Sequence, residues 1–208
     1  MSTLSPQRDI AIVDDDDAIR DALSWLFSTR NHKAQLFASA EELLASYKPE
    51  TFGCLILDVR MPGMGGIELF GKLQEYAYTP PVIFLTGHGD VPMAVAALKQ
   101  GAADFIQKPF SDNDIVDLVE SCLSLDQLHR SEWQARTAVD QCMATLTPRE
   151  REVMKLILVG RLNKQIADDL SISMKTVEVH RARILEKMRV KTAMELAARL
   201  RDSGVDAP

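Results

Sequence analysis

Five short apolar runs recur across the first 125 residues: IAIV (10–13), AQLF (34–37), CLIL (54–57), VIFL (82–85) and FIQ (105–107). Between them lie segments with helical periodicity, such as Ile19, Leu23, Leu26 and Phe27. Unbroken apolar runs suit strands covered on both faces. Strands alternating with helices suit a parallel sheet with helices on either side. Residues 1–125 are therefore expected to form an α/β, doubly wound, five-stranded parallel sheet. In such sheets ligands bind beyond the carboxyl ends of the strands. Ser39 with Glu42, and Ser111 with Asp114, mark two helix starts as capping boxes.

The polar residues at those strand ends are not random. The first run ends in Asp14–Asp17, and the third ends in Asp58. The fourth leads into Thr86-Gly87-His88-Gly89, and the fifth is followed by Lys108-Pro109. Several carboxylates at one sheet edge repel each other unless a cation sits among them, and oxygen ligands suit Mg²⁺. Asp16 and Asp17 read instead as the N-cap and first-turn acids of the following helix. His88 reads as a turn residue.

VDDD, LDVRMPGMGG, TGHGD and KPF, in this order, resemble the receiver domain of bacterial two-component response regulators over about residues 7–125. The resemblance implies that Asp58 accepts a phosphoryl group from a cognate sensor histidine kinase. It implies Mg²⁺ held by Asp14, Asp15, Asp58 and the backbone carbonyl of Arg60. Thr86 would hydrogen-bond the phosphoryl group, Lys108 would pair with it, Phe105 would be the switch aromatic, and a cis peptide would precede Pro109. The chemistry fits the residue types. A carboxylate is a competent nucleophile for acyl phosphate formation, and a lysine and a metal ion neutralise the transferring group. The competing reading, in which Asp58 merely caps a turn, leaves the other strand-end residues without a role.

Residues 126–140 carry no Gly or Pro and are expected as a helical linker. The third segment, 141–208, opens with LTPREREVMKLI, where Thr147, Pro148 and Glu150 form a helix start. A short helix (163–170), the turn SIS and a longer helix (174–188) then follow, joined by Ile166, Ala167, Leu170, Ile172 and Val177. Two helices meeting through a short turn fit a helix-turn-helix. LTPREREV, NKQIADDLSISMKTVEVHRARILEKM and VKTAMEL resemble the LuxR-type DNA-binding domain, making this an all-α C-terminal domain. The whole chain resembles the NarL/FixJ class of response regulators, and TGHGD with TVEVHRA points to its FixJ branch. Regulators of the acyl-homoserine-lactone type share the C-terminal domain but lack the Asp-rich receiver.

On the longer helix, Val177, Ile184 and Met188 share the inward face. Lys175, Glu178, Val179, Ala182 and Arg183 lie on the side expected in the major groove of an operator, with Thr176 among them. Glu178 can accept from cytosine N4, and Val179 or Ala182 can meet a thymine methyl. Lys175, Arg183, Lys164 and Lys187 are expected on phosphates; the spacing leaves Arg181 open. In the receiver segment, the helix from Val91 to Gln100 is expected to bury Val91, Ala94, Val95 and Leu98. Met93, Ala96, Ala97 and Gln100 would then form an uncharged dimerisation face for the phosphorylated protein.

Charge supports the division. Residues 1–140 carry 11 Lys and Arg against 21 Asp and Glu, whereas residues 141–208 carry 13 against 9. An acidic front and a basic back suit different partners. Those expected are the kinase, double-stranded DNA and RNA polymerase. The first residues lack a signal-peptide pattern, no run of about 18 apolar residues suggests a membrane span, and the location expected is cytoplasmic. Cys54, Cys122 and Cys142 lack metal spacing and read as buried thiols. The alternative function is an aspartate-based phosphatase. VDDDD mimics its nucleophile spacing, but LDVRMPG and the helix-turn-helix are then unexplained.

Overall fold

The computed structural model describes residues 8–87 and 91–204. The chain divides into two compact units, the first ending at Arg130 and the second beginning at Ser131. In the first, β1 (Asp9–Val13), β2 (Ala34–Phe37), β3 (Phe52–Asp58), β4 (Val82–Thr86) and β5 (Asp104–Gln107) form one sheet. They alternate with α1 (Asp17–Thr29), α2 (Ala40–Ser46), α3 (Gly66–Leu73), α4 (Val91–Lys99) and α5 (Asp112–Ala144). The strand order is 2-1-3-4-5 and every neighbouring pair is parallel, the flavodoxin-like arrangement.

The period-two alternation of the strands splits their side chains between two cores. Ala11, Val13, Leu55 and Leu57 pack with Leu43, Leu69, Leu73 and Phe84. Ile10, Ile12, Cys54 and Ile56 pack with Leu23, Phe27, Ile115 and Val119. β3 is buried along its whole length, so its register is fixed on both faces and Asp58 at its end is held firmly. All three cysteines are free and buried.

The helix starts follow the sequence with one change of geometry. Asp16 caps α1 through Ala18 N, with Asp17 in the first turn. Ser39 caps α2 through Glu42 N, but the Glu42 carboxylate reaches Ala38 N instead of closing the box on Ser39. Asp114 N donates to Ser111 Oγ at the start of α5.

α5 runs for 33 residues, so the segment 126–140 is shared between the units. Asp126 and Arg130 are buried in the first. Val139 and Cys142 join the core of the second with α6 (Pro148–Leu158), α7 (Asn163–Asp169), α8 (Met174–Lys187) and α9 (Ala193–Asp202). Thr147 and Glu150 close a full capping box on α6.

α4 needs a correction. Ala97, expected on the outward face, is buried, and Val95, expected inside, is 40% exposed. The helix is apolar nearly all round, so apolar spacing does not fix its rotation. Met93, Ala96 and Gln100 are exposed as expected, while Leu98 packs on the core. The side chains of Val91 and Ala94, and His88 as a whole, lie outside the described residues.

Candidate functional site

Strand register brings the expected residues of the first unit together. Val13 pairs with Leu57, so Asp14 and Asp58 end neighbouring strands side by side. Asp58 pairs with Leu85, and Thr86 with Gln107, which sets Lys108 beyond the same edge. The Lys108 ammonium bridges the two acids, 2.5 Å from Asp58 Oδ1 and 2.7 Å from Asp14 Oδ2. The remaining oxygens are occupied by backbone: Arg60 N donates to Asp58 Oδ2 at 2.8 Å, and Asp16 N to Asp14 Oδ1 at 2.9 Å. The main chain fixes Lys108 in turn, because its N–H donates to the Thr86 carbonyl at 2.8 Å; the Lys108–Pro109 peptide is cis, as the sequence resemblance implied.

Burial pushes the Asp58 carboxyl above the usual carboxylate range, although Lys108 and the Arg60 N–H oppose it. For Lys108, burial alone would disfavour the ammonium, but the bonds to Asp14 and Asp58 outweigh it and raise its pKa. Thr86 is fully buried and, among the described residues, its hydroxyl has no hydrogen-bond partner. Phe105 pairs with Phe84 and packs, partly buried, against the core. Asp15 is exposed. Among the described residues no three acidic, histidine or cysteine side chains gather as a metal-binding group. The Lys108 ammonium lies between the Asp14 and Asp58 carboxylates and balances their charge.

The loop after Asp58 owes its glycines to backbone constraints. Gly63 adopts φ +74°, open to glycine at little cost. A Cβ on Gly66 would stand 2.2 Å from the Asp58 carbonyl oxygen.

In the second unit, α7 and α8 meet through Ile166, Ala167, Leu170, Ile172 and Val177 in one core. Ser171 turns the chain between them at φ +52°. Ser173 caps α8 by accepting from Thr176 N at 3.1 Å. Val177, Ile184 and Met188 are buried, while Lys175, Glu178, Val179, Ala182 and Arg183 are exposed. Lys164 is exposed on α7, and Thr176 is half-buried.

Lys187 differs from expectation. Its ammonium is 2.7 Å from Glu150 Oε2 and 3.0 Å from the Thr145 carbonyl, so it ties the α6 start to the α8 end. The sequence places Lys187 on α8 but not the buried carboxylate that meets it. Arg181 is half-buried beside Leu162, Lys164 and Met174 in a surface groove.

Known proteins share both halves. The response regulator receiver domain model matches residues 10–120, and the model for bacterial regulatory proteins of the luxR family matches residues 144–200. The C4-dicarboxylate transport transcriptional regulatory protein DctR of Rhodobacter capsulatus is 50% identical over 90% of this chain and 96% of its own. The chain belongs to the NarL/FixJ-type response regulators. Among solved structures, response regulator StyR superposes with a TM-score of 0.83 at 37% identity, covering 94% of this chain and 98% of its own. Full-length FixJ from B. japonicum gives a TM-score of 0.56 at 36% identity, over 96% of this chain and 98% of its own.

This regulator therefore joins a receiver to a LuxR-type DNA-binding domain and acts in transcription within a two-component system. The two matches account for LDVRMPG and the helix-turn-helix, the features a phosphatase leaves unexplained. Among the described residues no helix is long and apolar enough to cross a membrane.

Three supporting groups escaped the sequence reading. Arg20 donates to the Asp14 carbonyl at 2.5 Å. Glu41 accepts from Met64 N in the loop after Asp58. Asp126 and Arg130 form a buried pair on α5, joined by the Tyr78 hydroxyl at 2.9 Å. Only the i,i+4 spacing of Asp126 and Arg130 was visible beforehand.

Proposed function

We propose that Asp58 is the phosphoacceptor of this regulator and that a sensor histidine kinase is its donor. One observation carries the reading: the Thr86 hydroxyl is fully buried, without a partner among the described residues, at the edge where Lys108 clamps Asp58. A buried hydroxyl left unpaired is costly, and a phosphoryl oxygen on Asp58 supplies the missing partner. The Asp58 carboxylate attacks phosphorus, the phosphorus–nitrogen bond of the phosphohistidine breaks, and the imidazole leaves. Lys108 then turns from the Asp58 oxygen to a phosphoryl oxygen.

The donor set fits Mg²⁺. Asp14, Asp58 and the Arg60 carbonyl offer hard oxygens, Asp15 follows Asp14 at the exposed rim, and this ion keeps several waters. When bound, it neutralises charge on the transferring group. Thr86 moving towards the phosphoryl group frees space for Phe105, and α4 offers Met93, Ala96 and Gln100 to a second copy. The dimer presents two α8 helices to a palindromic operator. Glu178, Val179 and Ala182 read bases there, while Lys164, Lys175 and Arg183 hold phosphates, with Thr176 beside them. The regulator then acts on RNA polymerase in the cytoplasm.

Sedimentation and operator titration, with Mg²⁺ and with or without a small-molecule phosphodonor, test this. The wild type is expected to gain dimer and bind the operator more tightly on phosphodonor addition, and Asp58→Asn to do neither. An equal response from both proteins would refute the reading.

A further inference from the structure

The four consecutive acids at the end of β1 divide their work. The Asp14 carboxylate takes Lys108 and the Asp16 N–H. The Asp16 carboxylate caps α1 through Ala18 N at 2.9 Å. The Asp17 carboxylate pairs with Arg20. Asp15 remains exposed. Among the described residues Arg20 is the cation that touches two members of this run. Its Nη1 donates to the Asp14 backbone carbonyl at 2.5 Å, and its Nη2 pairs with Asp17. The side chain is only 12% exposed, so the fork is held in place. A guanidinium suits the task because its planar donors can grip two acceptors at once.

We infer that Arg20 is a positioning residue that sets the Mg²⁺ affinity of the Asp58 site. It does so by clamping the peptide between Asp14 and Asp15, and the inference rests on the phosphoacceptor reading above. The Asp14 carbonyl belongs to the peptide that leads into Asp15. Pinning that carbonyl to the first turn of α1 fixes the direction in which both acids leave the strand. Arg20 itself contacts no transferring group. Position and charge predict opposite signs here. If only charge mattered, removing a cation would strengthen the binding of a divalent cation. If Arg20 positions the acids, removing it weakens that binding.

Calorimetric titration of the full chain with MgCl₂ separates the two, with thermal melting in the absence of metal as a control on folding. Arg20→Met keeps the apolar stem and loses the fork. It is expected to bind Mg²⁺ about tenfold more weakly, the low end of what losing a ligand-orienting partner costs. Arg20→Lys keeps the charge but grips one acceptor instead of two. Its affinity is expected about threefold below wild type on the same scale, and it tests position at constant charge should Arg20→Met melt early. Wild-type or tighter Mg²⁺ binding by the folded variants would overturn the role of Arg20 while leaving the site reading intact. A wild-type chain that neither binds Mg²⁺ nor takes phosphate on Asp58 would instead overturn the site reading and this inference with it.

Discussion

In the receiver unit the working charges converge from separate strand ends onto one buried cluster, whereas in the C-terminal unit they spread along the exposed side of one helix. Asp14, Asp58 and Lys108 meet only because three strands run parallel in register. Lys175, Glu178, Val179, Ala182 and Arg183 share a side of α8 because 3.6 residues make a turn. Two lysines sharpen the contrast. Lys108 and Lys187 each sit between oxygen acceptors within 3.0 Å. The acceptors of Lys108 are two carboxylates on the sheet edge that also carries Thr86, whose hydroxyl has no partner among the described residues. Those of Lys187 are a carboxylate already engaged in the α6 capping box and the Thr145 backbone carbonyl just ahead of it. A lysine near a carboxylate is thus not informative by itself; the neighbouring unfilled donor is.

The largest test of the contrast concerns charge that is purely structural. Arg130 donates to Asp126 and to the Pro49 and Phe52 carbonyls, and both side chains of the pair are nearly fully buried. Arg130→Met leaves the Asp126 carboxylate with only the Arg8 guanidinium at 3.6 Å and the Tyr78 hydroxyl, and is expected to cost the receiver about 3 kcal/mol in urea unfolding, the low end for a broken buried pair. A near-neutral result would mean that the burial of charge in this unit is not what holds α5.

Glu150→Gln comes next, at roughly 2 kcal/mol, the scale of a charged hydrogen bond. Burial acts to raise the Glu150 carboxyl, but Lys187 and the Thr147 bonds outweigh it and hold its pKa below the usual carboxylate range. A lowered folded value means stability present above the unfolded pKa and lost as pH falls through the folded one. The gap between wild type and Glu150→Gln should therefore be full at neutral pH and shrink on acidification below the usual carboxylate range. A gap independent of pH would detach Lys187 from Glu150 and return it to the DNA face.

The exposed side of α8 should behave differently, with little change in stability. Glu178→Ala is expected to relax preference at one base pair per half-site by roughly 1–3 kcal/mol. The smallest effect belongs to Lys175→Ala, which should weaken all sequences alike and reduce the salt slope by about 1. Titration of single-base operator variants at two salt concentrations reads both. A changed preference profile for Lys175→Ala with none for Glu178→Ala would reverse their roles.

What the sequence made legible follows the same division. All five strands stand within a residue or two of the apolar runs; for β1, β3 and β4 the reason is that a strand buried on both faces must be apolar nearly throughout. The site residues stood at the ends of those runs, so topology carried them to one edge. Side-chain partnerships were harder to read. Arg20 meets a backbone carbonyl, and Glu150 meets Lys187 across 37 positions, which no local spacing encodes. The rotation of α4 was illegible for another reason: Met93, Val95, Ala96 and Ala97 are all apolar, and only packing distinguishes them.

The central claim is that Asp58 is the group the receiver is built to modify. Mapping hydroxylamine-labile phosphate by peptide mass, after incubation with a phosphodonor, tests it most directly. Wild-type protein should gain one phosphate on the peptide containing Asp58, and only with Mg²⁺ present, while Asp58→Asn, which keeps the size but loses the nucleophile, should gain none. Phosphate on Asp58→Asn at the wild-type level, or mapped to Asp14 or Asp15 in the wild type, would contradict the account.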